Sequence, residues 1–195
     1  MSSAAGLRHL PNLISILRLL CAPALLWLTM QGLASVFAWV LIGAWLSDLA
    51  DGWLARSFGW VSRLGAMLDS VADIAMTLAT LYGIWIFHHE VFTSHGWLIW
   101  LVLALWIAVN GIALARYGRP ASFHSRLAQV GMALFGAFVL TLFFYGFVGW
   151  VYYLCGAVCL AAALETLAMI YLLDDWTPNV RGGLMAALRR RRRNR

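Results

Sequence analysis

The sequence contains no lysine, and charged residues of all kinds make up only 11% of its 195 positions. Soluble domains usually carry about 25% charged residues, so this composition excludes an ordinary water-soluble globule. Cysteine is also scarce, with three in the whole chain. Two of them, Cys155 and Cys159, lie in an apolar run where cysteine behaves as a small hydrophobic residue. A disulfide framework is therefore excluded.

Long apolar runs, by contrast, are abundant, because 63% of the residues are hydrophobic. Six runs fall at 13–31, 35–54, 65–87, 97–115, 127–146 and 149–173. Each run has the length of a membrane helix, and none shows the period-two alternation of a membrane β-barrel. The sequence predicts an all-α integral membrane protein with six transmembrane helices.

The basic residues indicate how these helices are oriented. If six helices alternate, one side receives all the arginines of the connections, which are Arg8, Arg56, Arg63, Arg116, Arg119 and Arg126. Arginine-rich connections stay in the cytoplasm, so both termini are predicted to be cytoplasmic. A compact chain with no evident organelle-targeting extension further predicts a bacterial inner membrane.

The arginines at the carboxyl end form a separate segment. All 14 basic residues are arginines, and six of them lie in 189–195. Without that tail the remaining chain has no net charge, so no nucleic-acid partner is expected. Such a tail is attracted to anionic lipid. We therefore divide the chain into a six-helix membrane domain, 1–188, and a basic cytoplasmic tail, 189–195.

Half of the eight acidic residues lie close together in the sequence. Asp48 and Asp51 are spaced i, i+3, and Asp69 and Asp73 are spaced i, i+4, so each pair lies on one helix face. Four neighbouring carboxylates need compensating charge. Oxygen ligands suit Mg²⁺, Mn²⁺ or Ca²⁺, and two such ions fit between the paired faces. Because these ions also bind phosphate oxygens, a phosphate or diphosphate ester is the expected substrate.

Other residues complete a longer pattern around the aspartates. Gly52 and Gly65 allow close approach to a ligand, Ala55 keeps one helix face shallow, and the guanidinium of Arg56 matches phosphate oxygens. The string from Asp48 to Asp73 reads D-x2-D-G-x2-A-R-x8-G-x3-D-x3-D. It resembles the signature of the CDP-alcohol phosphotransferase family at every fixed position.

The resemblance implies a six-helix membrane enzyme, active as a homodimer at the cytoplasmic surface. Such an enzyme transfers a phosphatidyl group from CDP-diacylglycerol to an alcohol and releases CMP. The resemblance implies that two divalent cations, Mg²⁺ or Mn²⁺, are held by Asp48, Asp51, Asp69 and Asp73, with Asp73 also the general base. It places Gly52, Ala55, Arg56 and Gly65 in the CDP pocket.

A second string, residues 11–23, resembles the P-N-x-x-[TS]-x-x-R-x4-P opening of phosphatidylglycerophosphate synthases and cardiolipin synthases. This resemblance adds Asn12 to the CDP pocket and favours glycerol 3-phosphate as acceptor, with phosphatidylglycerol phosphate as product. A phosphorylated acceptor needs cationic ligands. The candidates are Arg18, Arg116, Arg119 and Arg126. Arg18 could instead offset the charge of an aspartate, and the three loop arginines could equally be charges that set topology.

Alternatives remain open at three points. The synthases usually read D-P-x-A-D-K where this chain has D-S-V-A-D-I at 69–74, which keeps phosphatidylglycerol, serine and inositol phosphate as alternative acceptors. A divalent-cation transporter is the non-enzyme alternative, although Arg56 would repel a permeating cation. Glu165, a further acid inside an apolar run, either pairs with an arginine or belongs to a helix interface.

Overall fold

The computed structural model describes the backbone of residues 10–58, 63–118 and 125–172, and the side chains of 16–47, 71–118 and 125–172. The described residues form six α-helices, which confirms the all-helical prediction. They are α1 (Leu10–Met30), α2 (Ala34–Phe58), α3 (Arg63–Phe87), α4 (His89–Tyr117), α5 (Arg126–Tyr145) and α6 (Gly149–Leu172).

Helices α4, α5 and α6 are long and apolar enough to cross a membrane, judged by length and composition. In α1 to α3 the apolar stretches with described side chains are shorter, namely Ile16–Met30, Ala34–Ser47 and Val71–Phe87. Large apolar side chains are exposed along the helices, among them Trp27, Trp39 and Trp150. A protein surface of this kind suits contact with lipid rather than water.

Helices α2 and α4 extend furthest beyond the apolar runs that predicted them. Helix α2 continues past residue 54 to Phe58, and α4 begins at His89 rather than at residue 97. Residues 55–58 and 63–64 of the expected polar loop are therefore helical. Hydropathy marks the length that suits lipid, whereas a helix continues for as long as its backbone hydrogen bonds do.

Glycines with positive φ follow three of the helices. Gly32 follows α1, Gly118 follows α4 and Gly146 follows α5, with φ values of 71°, 66° and 85°. Other L-residues rarely adopt this conformation. The Gly118 N–H donates to the Leu114 carbonyl at 2.8 Å. These glycines end their helices and turn the chain back.

The residue contacts group the chain into two compact units, an N-terminal unit (Met1–Val91) and a C-terminal unit (Phe92–Arg195). In the N-terminal unit α1 packs against both α2 and α3, which contact each other only sparsely. The fully buried Phe37 of α2 lies against Gly83 of α3, and its ring centre is 5.6 Å from that of Phe87. Helix α1 is thus the common support of the other two.

In the C-terminal unit, α5 packs against α6. Val109 and Ala113 of α4 form a buried apolar cluster with Met169 and Ile170 of α6. The Tyr117 hydroxyl donates to the Ile170 carbonyl at 2.9 Å. Apolar contacts and one hydrogen bond therefore join the ends of α4 and α6.

Candidate active site

The signature residues lie on two consecutive helices of the N-terminal unit. Asp48 and Asp51 are in the second half of α2, and Asp69 and Asp73 are in the first half of α3. Only residues 59–62 separate the two helices. The four aspartates therefore occupy the ends of α2 and α3 that adjoin this short connection, as the sequence predicts.

The described contact between α2 and α3 lies at the other end of the pair. It involves Phe37 and Gly83, whereas Asp48 and Asp73 are each about three helical turns further towards the connection. Both helices pack on α1 and contact each other only sparsely, so α2 and α3 are held together mainly through a third helix.

Arg18 and Asp73 form an ion pair between α1 and α3. Arg18 Nη1 lies 3.4 Å from Asp73 Oδ1. The arginine side chain is 2% exposed and the aspartate side chain 49% exposed. Thr77 donates its hydroxyl to the Asp73 backbone carbonyl at 2.8 Å and does not use the carboxylate. Asp73 thus pairs with a buried arginine while about half of its side chain stays exposed.

Most of the other predicted ligands lie where only the backbone is described. Asn12 is in the first turn of α1, Arg56 is near the end of α2 and Gly65 is near the start of α3. The side chains outside the described set are those of Asn12, Asp48, Asp51, Gly52, Ala55, Arg56, Gly65 and Asp69, and Arg119 lies wholly outside it. Their roles remain predictions.

A divalent cation fits the donor set. The set consists of four carboxylates at the adjoining ends of two helices, and Mg²⁺ and Mn²⁺ prefer hard oxygen ligands of this kind. Among the side chains that the structure describes, no three His, Cys, Asp or Glu residues form a metal site. Of the four aspartates, only Asp73 has a side chain that the structure describes.

Two of the predicted acceptor ligands lie in the C-terminal unit. Arg116 is in the last turn of α4, exposed, with its guanidinium carbon 5.6 Å from the centre of the Tyr117 ring. Arg126 is the first residue of α5, directly after the N-cap Ser125. A cation at a helix N-terminus is unfavourable for the helix dipole, so helix stability does not explain Arg126.

Comparison with known proteins assigns the chain to a family. The sequence profile of the CDP-alcohol phosphatidyltransferases matches residues 8–173, a range that contains the whole signature. The chain belongs to this family. It is therefore a membrane-bound transferase of phospholipid biosynthesis, and the family uses divalent cations and a CDP-linked substrate.

Relatives of this CDP-alcohol phosphatidyltransferase include enzymes with different names. A probable phosphatidylglycerophosphate synthase of Mycobacterium tuberculosis is 30% identical over 152 residues, which cover 73% of this chain and 71% of that protein. A cardiolipin synthase (CMP-forming) of Streptomyces coelicolor is 36% identical over 121 residues, covering 57% and 54% of the two chains.

A third relative matches a shorter segment more closely. The CDP-diacylglycerol--glycerol-3-phosphate 3-phosphatidyltransferase of Cereibacter sphaeroides is 43% identical over 76 residues, which cover 37% of this chain and 34% of that protein. No solved structure matches the chain.

Sequence reasoning missed an aromatic cluster in this phosphatidyltransferase. The His95 ring stacks on Phe147 at 4.5 Å between ring centres, and His95 Nδ1 lies 2.9 Å from the Tyr153 hydroxyl. The Tyr152 hydroxyl donates to the His95 carbonyl. The available signal was the four aromatic residues within 147–153. The cluster ties the start of α6 to α4, so packing accounts for His95.

Proposed function

We propose that this enzyme transfers the phosphatidyl group of CDP-diacylglycerol to glycerol 3-phosphate, giving phosphatidylglycerol phosphate and CMP. The observation that carries this proposal is the intact signature on α2 and α3, with the half-exposed Asp73 carboxylate at its end. The names of the Mycobacterium and Cereibacter relatives support glycerol 3-phosphate as acceptor.

Asp73 is the general base in this proposal. The acceptor hydroxyl oxygen attacks the β-phosphorus, which carries the diacylglycerol, and its proton passes to the Asp73 carboxylate. The bond between that phosphorus and the bridging oxygen breaks, and CMP leaves with the bridging oxygen. Proton removal by a positioned carboxylate lowers the barrier as the new bond forms.

The remaining aspartates and the arginines bind and orient the substrates. Asp48, Asp51 and Asp69, together with Asp73, would hold two Mg²⁺ or Mn²⁺ ions, which neutralise the diphosphate and stabilise the leaving CMP. Around the cytidine and the diphosphate we place Asn12, Gly52, Ala55, Arg56 and Gly65. We assign Arg116, Arg119 and Arg126 to the phosphate of the acceptor, because a guanidinium binds phosphate with two parallel hydrogen bonds.

Further proposals concern the setting of the enzyme. We place it in a bacterial inner membrane as a homodimer, with both termini and the active site on the cytoplasmic side, where soluble acceptor and CMP have access. Labelling of single cysteines introduced at residues 31 and 118 tests the topology. We expect the cysteine at residue 118 to be labelled only from the cytoplasmic side of the membrane and the cysteine at residue 31 only from the other side. The reverse labelling pattern would contradict the proposed topology.

The central experiment measures CMP release by the purified protein in detergent with CDP-diacylglycerol and Mg²⁺. Glycerol 3-phosphate, phosphatidylglycerol, serine and inositol phosphate are compared in parallel, with Asp48→Ala as the variant that lacks a proposed metal ligand. We expect release with glycerol 3-phosphate, and loss of both activity and metal dependence in Asp48→Ala. A fully active Asp48→Ala enzyme contradicts the metal assignment.

Phosphatidylglycerol is the second candidate acceptor, because the Streptomyces relative carries the name cardiolipin synthase. Release of CMP with phosphatidylglycerol and not with glycerol 3-phosphate would replace the first candidate with this one. Release with serine or inositol phosphate alone would contradict both. If a folded sample binds CDP-diacylglycerol but releases CMP with none of the acceptors, the proposed donor site stands and the proposed acceptor is contradicted.

A further inference from the structure

Arg18 is a charged residue in an unusual position for its type. It lies on α1 within an apolar helix, and only 2% of its side chain is exposed. Burial of a guanidinium carries a large desolvation cost, and charged residues within membrane segments are rarely there for packing. A leucine or methionine would fill the same space without that cost. Packing of α1 alone therefore does not account for an arginine here.

The contact with Asp73 supplies a reason for the charge. The distance of 3.4 Å between Arg18 Nη1 and Asp73 Oδ1 is longer than the 2.7–2.9 Å of a tight charge-assisted hydrogen bond. The Asp73 side chain is half exposed. The guanidinium thus restrains one oxygen of the carboxylate while the residue stays reachable by a substrate.

Burial also bears on what Arg18 can bind. A water-soluble acceptor can reach the half-exposed side chain of Asp73, whereas the side chain of Arg18 is almost wholly buried. Direct contact between Arg18 and the acceptor phosphate would require the arginine to leave its position in α1.

We propose that Arg18 is a positioning residue, which acts on the reaction through Asp73 and not by binding the acceptor. This inference rests on the proposed function, in which Asp73 removes the acceptor proton. Arg18 fixes the carboxylate in the orientation from which its accessible oxygen meets the hydroxyl. In the transfer step the proton moves from the hydroxyl to Asp73 and the phosphorus changes partners, while Arg18 keeps all its protons.

The test compares Arg18→Gln and Arg18→Lys with the wild-type protein. For each we measure kcat and the KM of the acceptor, together with CDP-diacylglycerol affinity and the melting temperature. We expect Arg18→Gln to lower kcat by about 10- to 100-fold, as loss of a partner that orients a functional group does. The KM of the acceptor stays within about twofold, and CDP-diacylglycerol affinity is kept. Arg18→Lys retains the positive charge without the planar guanidinium, so we expect its kcat to fall between those of the wild type and Arg18→Gln.

Thr29→Val is the matched control. Thr29 is another buried polar residue of α1, at 3% exposure, and its hydroxyl donates to the Leu25 carbonyl of the same helix at 2.8 Å. We expect wild-type kcat in this variant. An equal loss of kcat in Thr29→Val and Arg18→Gln would show that any polar deletion in α1 disturbs the site, and would overturn the proposal.

Infrared spectroscopy supplies a readout that does not depend on activity. The difference spectrum between wild type and Asp73→Asn isolates the carboxylate stretch of Asp73, and we expect Arg18→Gln to shift that band in protein free of substrate and metal. An unshifted band overturns the pairing. A raised acceptor KM with wild-type kcat in Arg18→Gln would instead make Arg18 an acceptor ligand.

The following outcomes distinguish failure of the Arg18 proposal from failure of the proposed function. CMP release by the wild type tests the reaction, and a still active Asp73→Asn variant removes the general base and the role of Arg18 with it. An inactive Asp73→Asn enzyme beside Arg18→Gln with wild-type kcat contradicts only the role of Arg18. If Arg18→Gln does not fold, Arg18→Lys decides, and wild-type kcat in that variant contradicts the proposal.

Discussion

The two units of the molecule bury polar groups in different places. Among residues whose burial is described, Arg18, Thr29 and Thr80 are buried inside helices of the N-terminal unit. In the described part of the C-terminal unit, the buried polar residue is Ser125, which caps the start of α5. Fully buried polar residues thus lie within helices of the N-terminal unit and at a helix end in the described part of the C-terminal unit, where α6 also carries the partly exposed Glu165.

This difference indicates that catalysis and membrane anchoring fall mainly to different units. Polar groups inside membrane helices are expensive, and the unit that holds them also carries the whole CDP-alcohol signature. The helices of the C-terminal unit are long and apolar enough to span a membrane. We infer that the N-terminal unit contains energetically unfavourable polar groups because it holds the active site. The C-terminal unit supplies apolar surface and arginines at helix ends.

The largest expected effect compares the same change in the two units. Asp73→Asn and Glu165→Gln each replace a carboxylate with an amide, one on α3 and one on α6. Asp73→Asn should lower kcat by about 10²- to 10⁴-fold, because it removes the general base, with CDP-diacylglycerol binding kept. Glu165→Gln should lower kcat by less than about tenfold. Steady-state CMP release measures kcat for both variants. Equal losses of kcat would contradict the division of roles between the two units.

A smaller effect concerns close packing in the N-terminal unit. A Cβ added at Gly83 would lie 2.3 Å from Cζ of the buried Phe37 ring, whereas one at Gly43 meets nothing within 4 Å. A rigid ring cannot yield easily, so Gly83→Ala should destabilise the protein by about 3 kcal/mol. Gly43→Ala, the matched control on α2, should be neutral or stabilising. Melting temperatures in detergent compare the two, and equal values would contradict the contact.

The same comparison in the C-terminal unit should give a smaller loss. A Cβ at Gly156 would lie 2.3 Å from Cδ2 of Leu98, and one at Gly111 meets nothing within 4 Å. Because a leucine can change rotamer, Gly156→Ala should cost about 2 kcal/mol, and Gly111→Ala, the control, should cost nothing. A drop in melting temperature larger than that of Gly83→Ala would contradict the inference that the Phe37 ring yields less easily than the Leu98 side chain.

The smallest effect tests the hydrogen bond between α4 and α6. Tyr117→Phe removes the hydroxyl that donates to the Ile170 carbonyl and keeps the ring beside the apolar cluster. Loss of one hydrogen bond costs about 1 kcal/mol, a fall of roughly 2–4 °C in melting temperature for a chain of this size. Tyr145→Phe, which alters a strongly exposed tyrosine at the end of α5, serves as control. An identical melting temperature for both variants contradicts a stabilising role.

The helices themselves were predictable from the sequence, because apolar runs and chain-turning glycines act locally. Gly32, Gly118 and Gly146 follow helices with the positive φ that glycine favours. The start of α4 at His89 was not predictable from hydropathy, since polar residues extend a helix as readily as apolar ones do. Helix type and number follow from local sequence, whereas helix ends depend on backbone hydrogen bonding.

Placement of the aspartates on α2 and α3 was likewise predictable, because their spacing is a property of single helices. The pairing of Arg18 with Asp73 was not, since the two residues are 55 positions apart and meet only when α1 packs on α3. Sequence reasoning gave Arg18 two alternative roles, binding a phosphate or offsetting the charge of an aspartate that it did not name, and the contact with Asp73 favours the second.

The central position of α1 in the N-terminal unit has a consequence for how the protein is made. The ribosome delivers α1 before α2 and α3, and domains assemble as the chain emerges. Arg18 therefore leaves the ribosome before Asp73, which lies 55 residues further along the chain. The carboxylate arrives only with α3, so the last helix of the unit to be inserted completes both the ion pair and the signature.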